Sequence, residues 1–350
     1  MSIFERIRGD NYEQIVFCND ARVGLKAIIA IHNSALGPAT GGCRMWNYHN
    51  EEEAITDVLR LSKGMTYKSS ISNLPLGGGK AIIIGDASQK TPELLKRFGD
   101  FVEGLGGRYI TAKDVGINAA DLKTIKSRTH HILGVAGEEN SSGDPSPVTS
   151  WGVYNGMLAA AEKAFGKKSL NGVHIAMQGL GAVNYYLLQY LKKEGAKVTG
   201  CDINPDAIRR ARDEYGVEIV APEAIYDVKA DIFSPGALGA VINSQTLPRL
   251  RCRVIAGAAN NQLATEQDGE ELVKRGILYA PDYAINAGGI INIYHEQEGY
   301  DREKAFAHVA GIYDTIKKVL DISEAERIPA NLVANRIAEE RVEKAQRALG

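Results

Sequence analysis

Lys68 and Lys80 lie twelve residues apart, each in a segment unusual enough to imply chemistry. Lys68 ends Lys63-Gly64-Met65-Thr66-Tyr67-Lys68, and Lys80 follows Leu76-Gly77-Gly78-Gly79. Glycine loses more backbone entropy on folding than any other residue, so three in a row beside a strand imply close approach by something. A lysine on such a crowded, desolvated loop would have a depressed pKa, and a second cation nearby would depress it further. An amine that is neutral near pH 7–8 is a competent general base. A third segment of this kind is Gly37-Pro38-Ala39-Thr40-Gly41-Gly42-Cys43-Arg44. Taken singly, Lys80 reads as a solvated loop lysine and Lys68 as a charge at a helix end.

A second signal lies further along. Val173–Met177 reads as a short buried strand and runs into Gly179-Leu180-Gly181-Ala182-Val183-Asn184. A helical pattern follows to Glu194, then a strand at Lys197–Gly200 with Asp202 at its end. This is the layout of a Rossmann unit. Gly179 and Gly181 allow a tight turn, and a pyrophosphate approaches the helix N-terminus at Ala182 and Val183. Asp202 stands about 20 residues on, where an acid holds the adenosine ribose hydroxyls. A carboxylate there favours NAD over NADP, although Arg209 and Arg210 follow closely and leave NADP open. Asn184 takes the place of the third glycine and is expected to push helix and strand slightly apart.

The elements needed to position these residues are legible in outline. Leu25–His32, Ala81–Ile84 and Tyr109–Ala112 read as strands, and Glu51–Met65 and Pro92–Leu105 as helices. The polar stretch Gly137–Pro147 reads as an interdomain connection. After it come a helix near Val148–Phe165, the Rossmann unit, and two long helical patterns at Glu303–Ile322 and Pro329–Leu349. The class is α/β with two domains. The chain has 350 residues, 44% hydrophobic and 24% charged, with a formal charge of 41 − 43 = −2. No basic field argues for nucleic acid or a membrane surface as a partner. The N-terminus lacks the apolar core of a signal peptide, and no apolar run is long enough to span a bilayer. Cys18, Cys43, Cys201 and Cys252 are widely spaced, which points to reduced thiols in a cytoplasmic protein and to no metal site.

The segments GGCRMW, LRLSKGMTYK, LGGGKAIIIGD, GGRYITAKDVG, GDPSPVTSWGVYNGM, AGAANNQL and LYAPDYAINAGG, in that order, resemble the Glu/Leu/Phe/Val dehydrogenase family, nearest its leucine-oxidising branch. The resemblance covers essentially the whole chain. It implies oxidative deamination of an L-amino acid to the 2-oxo acid and ammonium, reversibly, with NAD as cofactor. Lys68 would bind the α-carboxylate, Lys80 would be the base that activates water, and Asp114 would handle protons at the amino group. Gly41 and Gly42 would line the substrate site, Asn261 would orient substrate or nicotinamide ribose, and Thr149 would sit by the carboxamide. The family also implies a homo-oligomer, a dimer or octamer. Its C-terminal helix would return to the first domain, giving a substrate and oligomerisation domain of 1–136 plus 330–350 and a Rossmann domain of 148–329.

For the side-chain pocket, the resemblance implies that a glutamate-using member has Lys at the position of Thr40 and Ser at that of Ile293. Here neither residue can grip a γ-carboxylate, and burying an unpartnered carboxylate costs several kcal/mol. Ile290 and Ile293, three apart on one helical face with Met65 and Ala112 beside them, suit a branched-chain substrate such as leucine. A phenylalanine or tryptophan substrate is the alternative within the family, and a catalytically silent binding protein the alternative outside it. A 2-hydroxy-acid dehydrogenase is disfavoured, because no His sits in a motif-like segment to accept the proton. Three residues depart from the family pattern: Lys113 beside the catalytic Asp, Asn184, and Gly236 where a cysteine is usual.

Overall fold

The computed structural model describes residues 3–137, 141–297 and 299–349. The chain forms two compact units: 1–143 with 293–301 and 338–350, and 144–292 with 302–337. The first junction lies within the expected connection at Gly137–Pro147, of which residues 138–140 fall outside the described residues. Beside the expected ranges of 1–136 plus 330–350 and 148–329, these units differ at two places. The segment Ile293–Asp301 groups with the first unit, and residues 330–337 group with the second.

The first unit holds α1 (Ile3–Gly9), β1 (Gln14–Asp20), β2 (Leu25–Asn33), β3 (Ala39–Trp46), α2 (Glu51–Ile71), β4 (Gly77–Ile84), α3 (Pro92–Glu103), β5 (Tyr109–Lys113) and α4 (Ala119–Lys126). Its sheet is mixed, in the order β1-β2-β4-β3-β5, with β3 parallel to both β4 and β5 and the β1–β2 and β2–β4 pairs antiparallel. The central strands are buried from both sides, and β2 is accordingly an almost unbroken run of buried Ile and Ala. One face carries the Leu94, Phe98 and Val102 stripe of α3, and the other carries Val58 and Leu59 of α2.

The glycine run is not the loop that its composition suggests. Gly77–Gly79 open strand β4, and Lys80 is its fourth residue. The reason is steric. An added Cβ at Gly78 would overlap the backbone and hydroxyl of Thr66 on α2, and one at Gly79 would lie 2.8 Å from the Tyr109 ring. One at Gly77 would overlap the Asn33 carbonyl. The close approach is therefore by this unit's own helix and strands. Helix α2 meets the glycines with a small polar face, Ser62, Thr66, Ser69 and Ser70, all buried. That face is why the helix runs on to Ile71, past the end of its apolar pattern.

The far end of the chain is tied to α2. Ser70 Oγ donates to Ala338 O, and Arg341 donates to the carbonyls of Ser70 and Leu74. Glu296 gathers the 293–301 segment by accepting hydrogen bonds from Gly134 N, Ser142 N and Ser142 Oγ.

The second unit is built on a six-stranded parallel sheet of β6 (His174–Gln178), β7 (Lys197–Cys201), β8 (Glu218–Ile219), β9 (Ile232–Pro235), β10 (Val254–Ile255) and β11 (Leu278–Tyr279). The spatial order β11-β10-β9-β6-β7-β8 reverses direction between β6 and β9, so the switch point lies beyond the ends of those two strands. The helices are α5 (Ser146–Phe165), α6 (Ala182–Glu194), α7 (Pro205–Tyr215), α8 (Glu266–Lys274), α9 (Asp282–Ile285), α10 (Gly288–Tyr294), α11 (Arg302–Ala310), α12 (Ile312–Glu326) and α13 (Ala330–Leu349), the last passing into the first unit. The single helix expected at Glu303–Ile322 is two. Gly311 breaks it, its N–H turning back to His308 O, and residues of both α11 and α12 pack an apolar side against α5. Among the described residues no helix is long and apolar enough to cross a membrane.

Candidate active site

In the first unit, three parallel neighbours converge on one buried charge cluster. Lys80 projects from β4 and is 7% exposed. Asp114 follows the end of β5. Gly42 on β3 leaves room for it, since a Cβ there would lie 2.6 Å from Lys113 O and 2.9 Å from Asp114 Cβ. Lys80 Nζ sits 2.5 Å from Asp114 Oδ2. The same oxygen lies 3.4 Å from Arg44 Nε, which places a guanidinium beside the pair. Arg44 reaches in the other direction to Asp57 Oδ2 at 2.9 Å. Asp57 also accepts from Tyr48 OH at 2.7 Å and from Arg60 at 2.9 Å.

Burial pushes the Asp114 carboxyl up, but Lys80 and Arg44 outweigh it and hold the group below the ordinary carboxylate range. Asp57 is held low in the same way, burial opposed by Tyr48, Arg44 and Arg60. Burial drives the neighbouring Cys43 thiol and Tyr109 phenol strongly upward, so both stay protonated and neither is a nucleophile. The cluster brings a buried lysine and a half-buried carboxylate into direct contact.

The expected substrate residues are spread over both units. Met65 Cγ lies 3.2 Å from where a Gly41 Cβ would be. Lys68, three residues on and half-buried, shares that face of α2. Thr40 is fully buried, its hydroxyl donating to Pro38 O at 3.2 Å. Ala112 is buried on β5. Ile290 and Ile293 both lie on α10; Ile290 is buried, and Ile293 is half-buried, with Cγ2 3.8 Å from a Cβ built on Gly134.

In the second unit the glycine turn has the expected form. Gly179 has φ +86°, open to glycine, and donates to Cys201 O at 2.8 Å. Gly181 caps α6, and a Cβ added to it would meet nothing within 4 Å, so the backbone before Ala182 and Val183 is open to a phosphate. Asp202 accepts from Leu180 N at 2.6 Å and from Asn204 N at 2.8 Å, fastening the turn to the end of β7. A pocket of about 570 Å³ beside it is lined by Gly181, Ala182, Asn204, Asp206, Arg209 and Arg210, among others. Arg209 is paired with Asp206 at 2.7 Å, and Arg210 lies over the Tyr185 ring at 3.9 Å.

Two departures from the family pattern answer each other. The Asn184 side chain turns toward Gly236 and the glycine turn. Its amide occupies the space that a Cβ at residue 236 would fill, and it donates to Gly179 O at 2.6 Å. The missing side chain at Gly236 makes room for the added one at Asn184.

Asn261 is exposed and holds a left-handed backbone, φ +51°, which a non-glycine residue adopts only when its surroundings impose it. Sequence patterns do not disclose those surroundings. Gln262, fully buried, donates to Gly257 O and Ala259 O, and Asn286 donates to Asn260 Oδ1 and Ala258 O. Both lie within or beside the AANNQL and NAGG segments, but their partners are set by the fold. Thr149 meets the start of α10, where Cβ atoms on Gly288 and Gly289 would lie 2.8 Å from its Cα and 3.3 Å from its Oγ1. Arg44 and Asp57 also escape the sequence reasoning. Arg44 stands in plain view in GGCRMW, while Asp57 looks like an ordinary helix-surface acid.

Residues 12–131 match the Glu/Leu/Phe/Val dehydrogenase dimerisation domain, and residues 141–350 match the Glutamate/Leucine/Phenylalanine/Valine dehydrogenase domain. The chain is 53% identical to a leucine dehydrogenase of Thermoactinomyces intermedius, over 98% of this chain and 94% of that one. It is 46% identical to a phenylalanine dehydrogenase of Bacillus thermotolerans, over 97% and 90%. The crystal structure of an L-tryptophan dehydrogenase from Nostoc punctiforme superposes with a TM-score of 0.89 at 43% identity, covering 99% of this chain and all of that one.

Proposed function

The chain belongs to the Glu/Leu/Phe/Val dehydrogenase family and is an NAD(P)-dependent amino-acid dehydrogenase, and from that premise we propose that it oxidatively deaminates leucine or another branched-chain L-amino acid with NAD⁺. The observation that carries the chemistry is the buried contact of Lys80 Nζ with Asp114 Oδ2 at 2.5 Å. The 53% identity to a leucine dehydrogenase and the uncharged Thr40 and Ile293 support the substrate.

In this reading Lys68 holds the α-carboxylate. NAD⁺, when bound, supplies the acceptor for the hydrogen on Cα; Gly179, Gly181 and the N-terminus of α6 would hold its pyrophosphate, with Thr149 and Asn261 toward the nicotinamide end. Lys80 takes a proton from the water that adds to the imino carbon. Asp114, ionised at rest, takes a proton from the substrate ammonium group before oxidation and returns it to the departing amine, so that ammonia leaves, becomes ammonium in water, and the 2-oxo acid remains. Preference for NAD⁺ over NADP⁺ rests on Asp202 and on the engagement of Arg209 with Asp206 and of Arg210 with Tyr185, which leaves neither arginine committed to a 2′-phosphate. A homo-oligomer fits the first matched domain, whose edge strand β1 exposes Phe17.

An aromatic substrate is the alternative reading, favoured by the tryptophan dehydrogenase superposition. The deciding measurement is kcat/KM for leucine, isoleucine, valine, phenylalanine, tryptophan and glutamate with NAD⁺ and NADP⁺ at alkaline pH. Leucine should lead and glutamate should be barely turned over. An aromatic substrate ahead of leucine by about tenfold, roughly 1.4 kcal/mol in transition-state binding, replaces the branched-chain reading with the aromatic one.

A further inference from the structure

Asp114 Oδ2 serves two cations, Lys80 at 2.5 Å and Arg44 Nε at 3.4 Å. Arg44 is itself shared, its terminal nitrogen 2.9 Å from Asp57 Oδ2. The charges thus alternate along one line, Lys80, Asp114, Arg44, Asp57, Arg60, running from the buried amine toward the surface. Arg44 uses two edges of a rigid planar fork to span two carboxylates, which a lysine at that position cannot do.

We propose that Arg44, anchored by Asp57, is a positioning residue that divides Asp114 between two cations and so sets the pH range in which Lys80 works as a base. This rests on Lys80 being that base.

Every cation close to Lys80 makes its ammonium form less favourable, and every anion makes it more so. Arg44 does this twice, by its own charge and by drawing on the oxygen that holds Lys80. Asp57 offsets part of Arg44's field. Tyr48 from the end of β3 and Arg60 from α2 contact Asp57; Cys43 on β3 and Tyr109 on β5, both protonated, lie beside the cluster, and Asp121 on α4, paired with Lys90, adds a more distant negative charge. Lys68, on α2, supplies a further positive charge on the Met65 face.

The test compares the rising limb of the kcat/KM–pH profile for amino-acid oxidation in the full-length enzyme. Arg44→Gln should move the limb up by about one pH unit, because Lys80 then keeps its proton longer. Asp57→Asn should move it the opposite way, down by about half a unit, because Arg44 is freed to act on Asp114 and Lys80. Arg44→Lys, which keeps the charge but cannot span both carboxylates, should recover only part of the Arg44→Gln shift. Arg44 also lines a surface pocket of about 800 Å³ with Trp46, Tyr48 and Val115, so added guanidinium should draw the limb of Arg44→Ala back toward wild type.

Opposed shifts support the proposal, and a nonspecific loss of folding cannot produce them. Shifts in one direction, or falls in kcat with both limbs unmoved, overturn it. If Arg44→Gln does not fold, the Asp57→Asn limb alone decides: a downward move supports the proposal, and an unmoved or rising limb overturns it. Lys80→Ala separates the two levels of the argument. Full activity in that variant removes the base itself, whereas an inactive Lys80→Ala enzyme with unmoved limbs in the other variants removes only the role of Arg44.

Discussion

Each unit of the molecule carries a glycine-rich segment, Gly77–Gly79 in one and Gly179 with Gly181 in the other. The two are similar as sequences and differ in what surrounds them. The Gly77–Gly79 run is a strand whose missing side chains are replaced by Thr66, Tyr109 and the Asn33 carbonyl. At Gly181 nothing of the protein replaces the missing side chain, and the backbone faces outward at a helix N-terminus. One set of glycines serves packing, bringing α2 close enough to β4 to enclose Lys80. In the other, Gly179 supplies a positive φ against Ala237, and Gly181 leaves the helix N-terminus open, the approach that the proposed function gives to NAD⁺. Glycine-rich segments therefore do not by themselves mark a ligand, and the neighbours of the absent Cβ decide.

The sharpest way to break this comparison is Gly78→Ala. Its Cβ would overlap backbone atoms of Thr66, and backbone cannot swing aside as a side chain can, so the loss should be about 3 kcal/mol or more. Chemical denaturation should show it, and a variant of wild-type stability would mean that α2 is not held against β4 as described.

Gly236→Ala should cost less, about 1–3 kcal/mol, since the obstacle is the Asn184 side chain and one hydrogen bond to Gly179 O. The double variant with Asn184→Ala should recover part of that loss. Simple additivity in the double-mutant cycle would show that the two departures are unrelated.

Acid should affect the two units differently. His32, buried between Thr66 Oγ1 at 2.8 Å and the Asp10 carbonyl, has its pKa lowered from 6.5 to about 4, chiefly by burial. The unfolded chain binds that proton more readily than the folded one. The stabilisation from keeping His32 neutral is complete above about pH 6.5, falls as pH drops below that, and is gone below about pH 4, roughly 3 kcal/mol in all. In His32→Asn that part of the pH dependence of the denaturation midpoint should vanish; an identical slope in the variant would assign it to other groups.

Gly181→Ala should barely change stability, within about 0.5 kcal/mol, because its Cβ meets nothing. It should raise the Kd for NAD⁺ about tenfold by narrowing the approach to the turn. Unchanged NAD⁺ affinity would move the pyrophosphate away from this glycine.

The periodic elements are legible in the sequence because their physics is local. Alternating or continuous β-branched runs mark β2, β4 and β5, and strand, turn, helix and acid in register mark β6, α6 and β7. Helix α2 reads short, ending at Met65, because its buried face beyond that point is Ser and Thr, chosen for closeness rather than hydrophobicity. The break at Gly311 is hidden because the apolar pattern runs on through it.

The candidate site divides along the same line. Lys80 is singled out by its glycine-rich segment, while its proposed role and the naming of Asp114 come from the family resemblance of LGGGKAIIIGD and GGRYITAKDVG. The contact of Lys80 with Asp114, the second cation on the same oxygen, and the match of Asn184 to Gly236 cannot be read that way, because each pairs residues dozens of positions apart. Only tertiary structure decides such pairs: a charge acquires its role from what the fold places within a few ångströms of it, and a glycine from what fills the space its side chain would have taken.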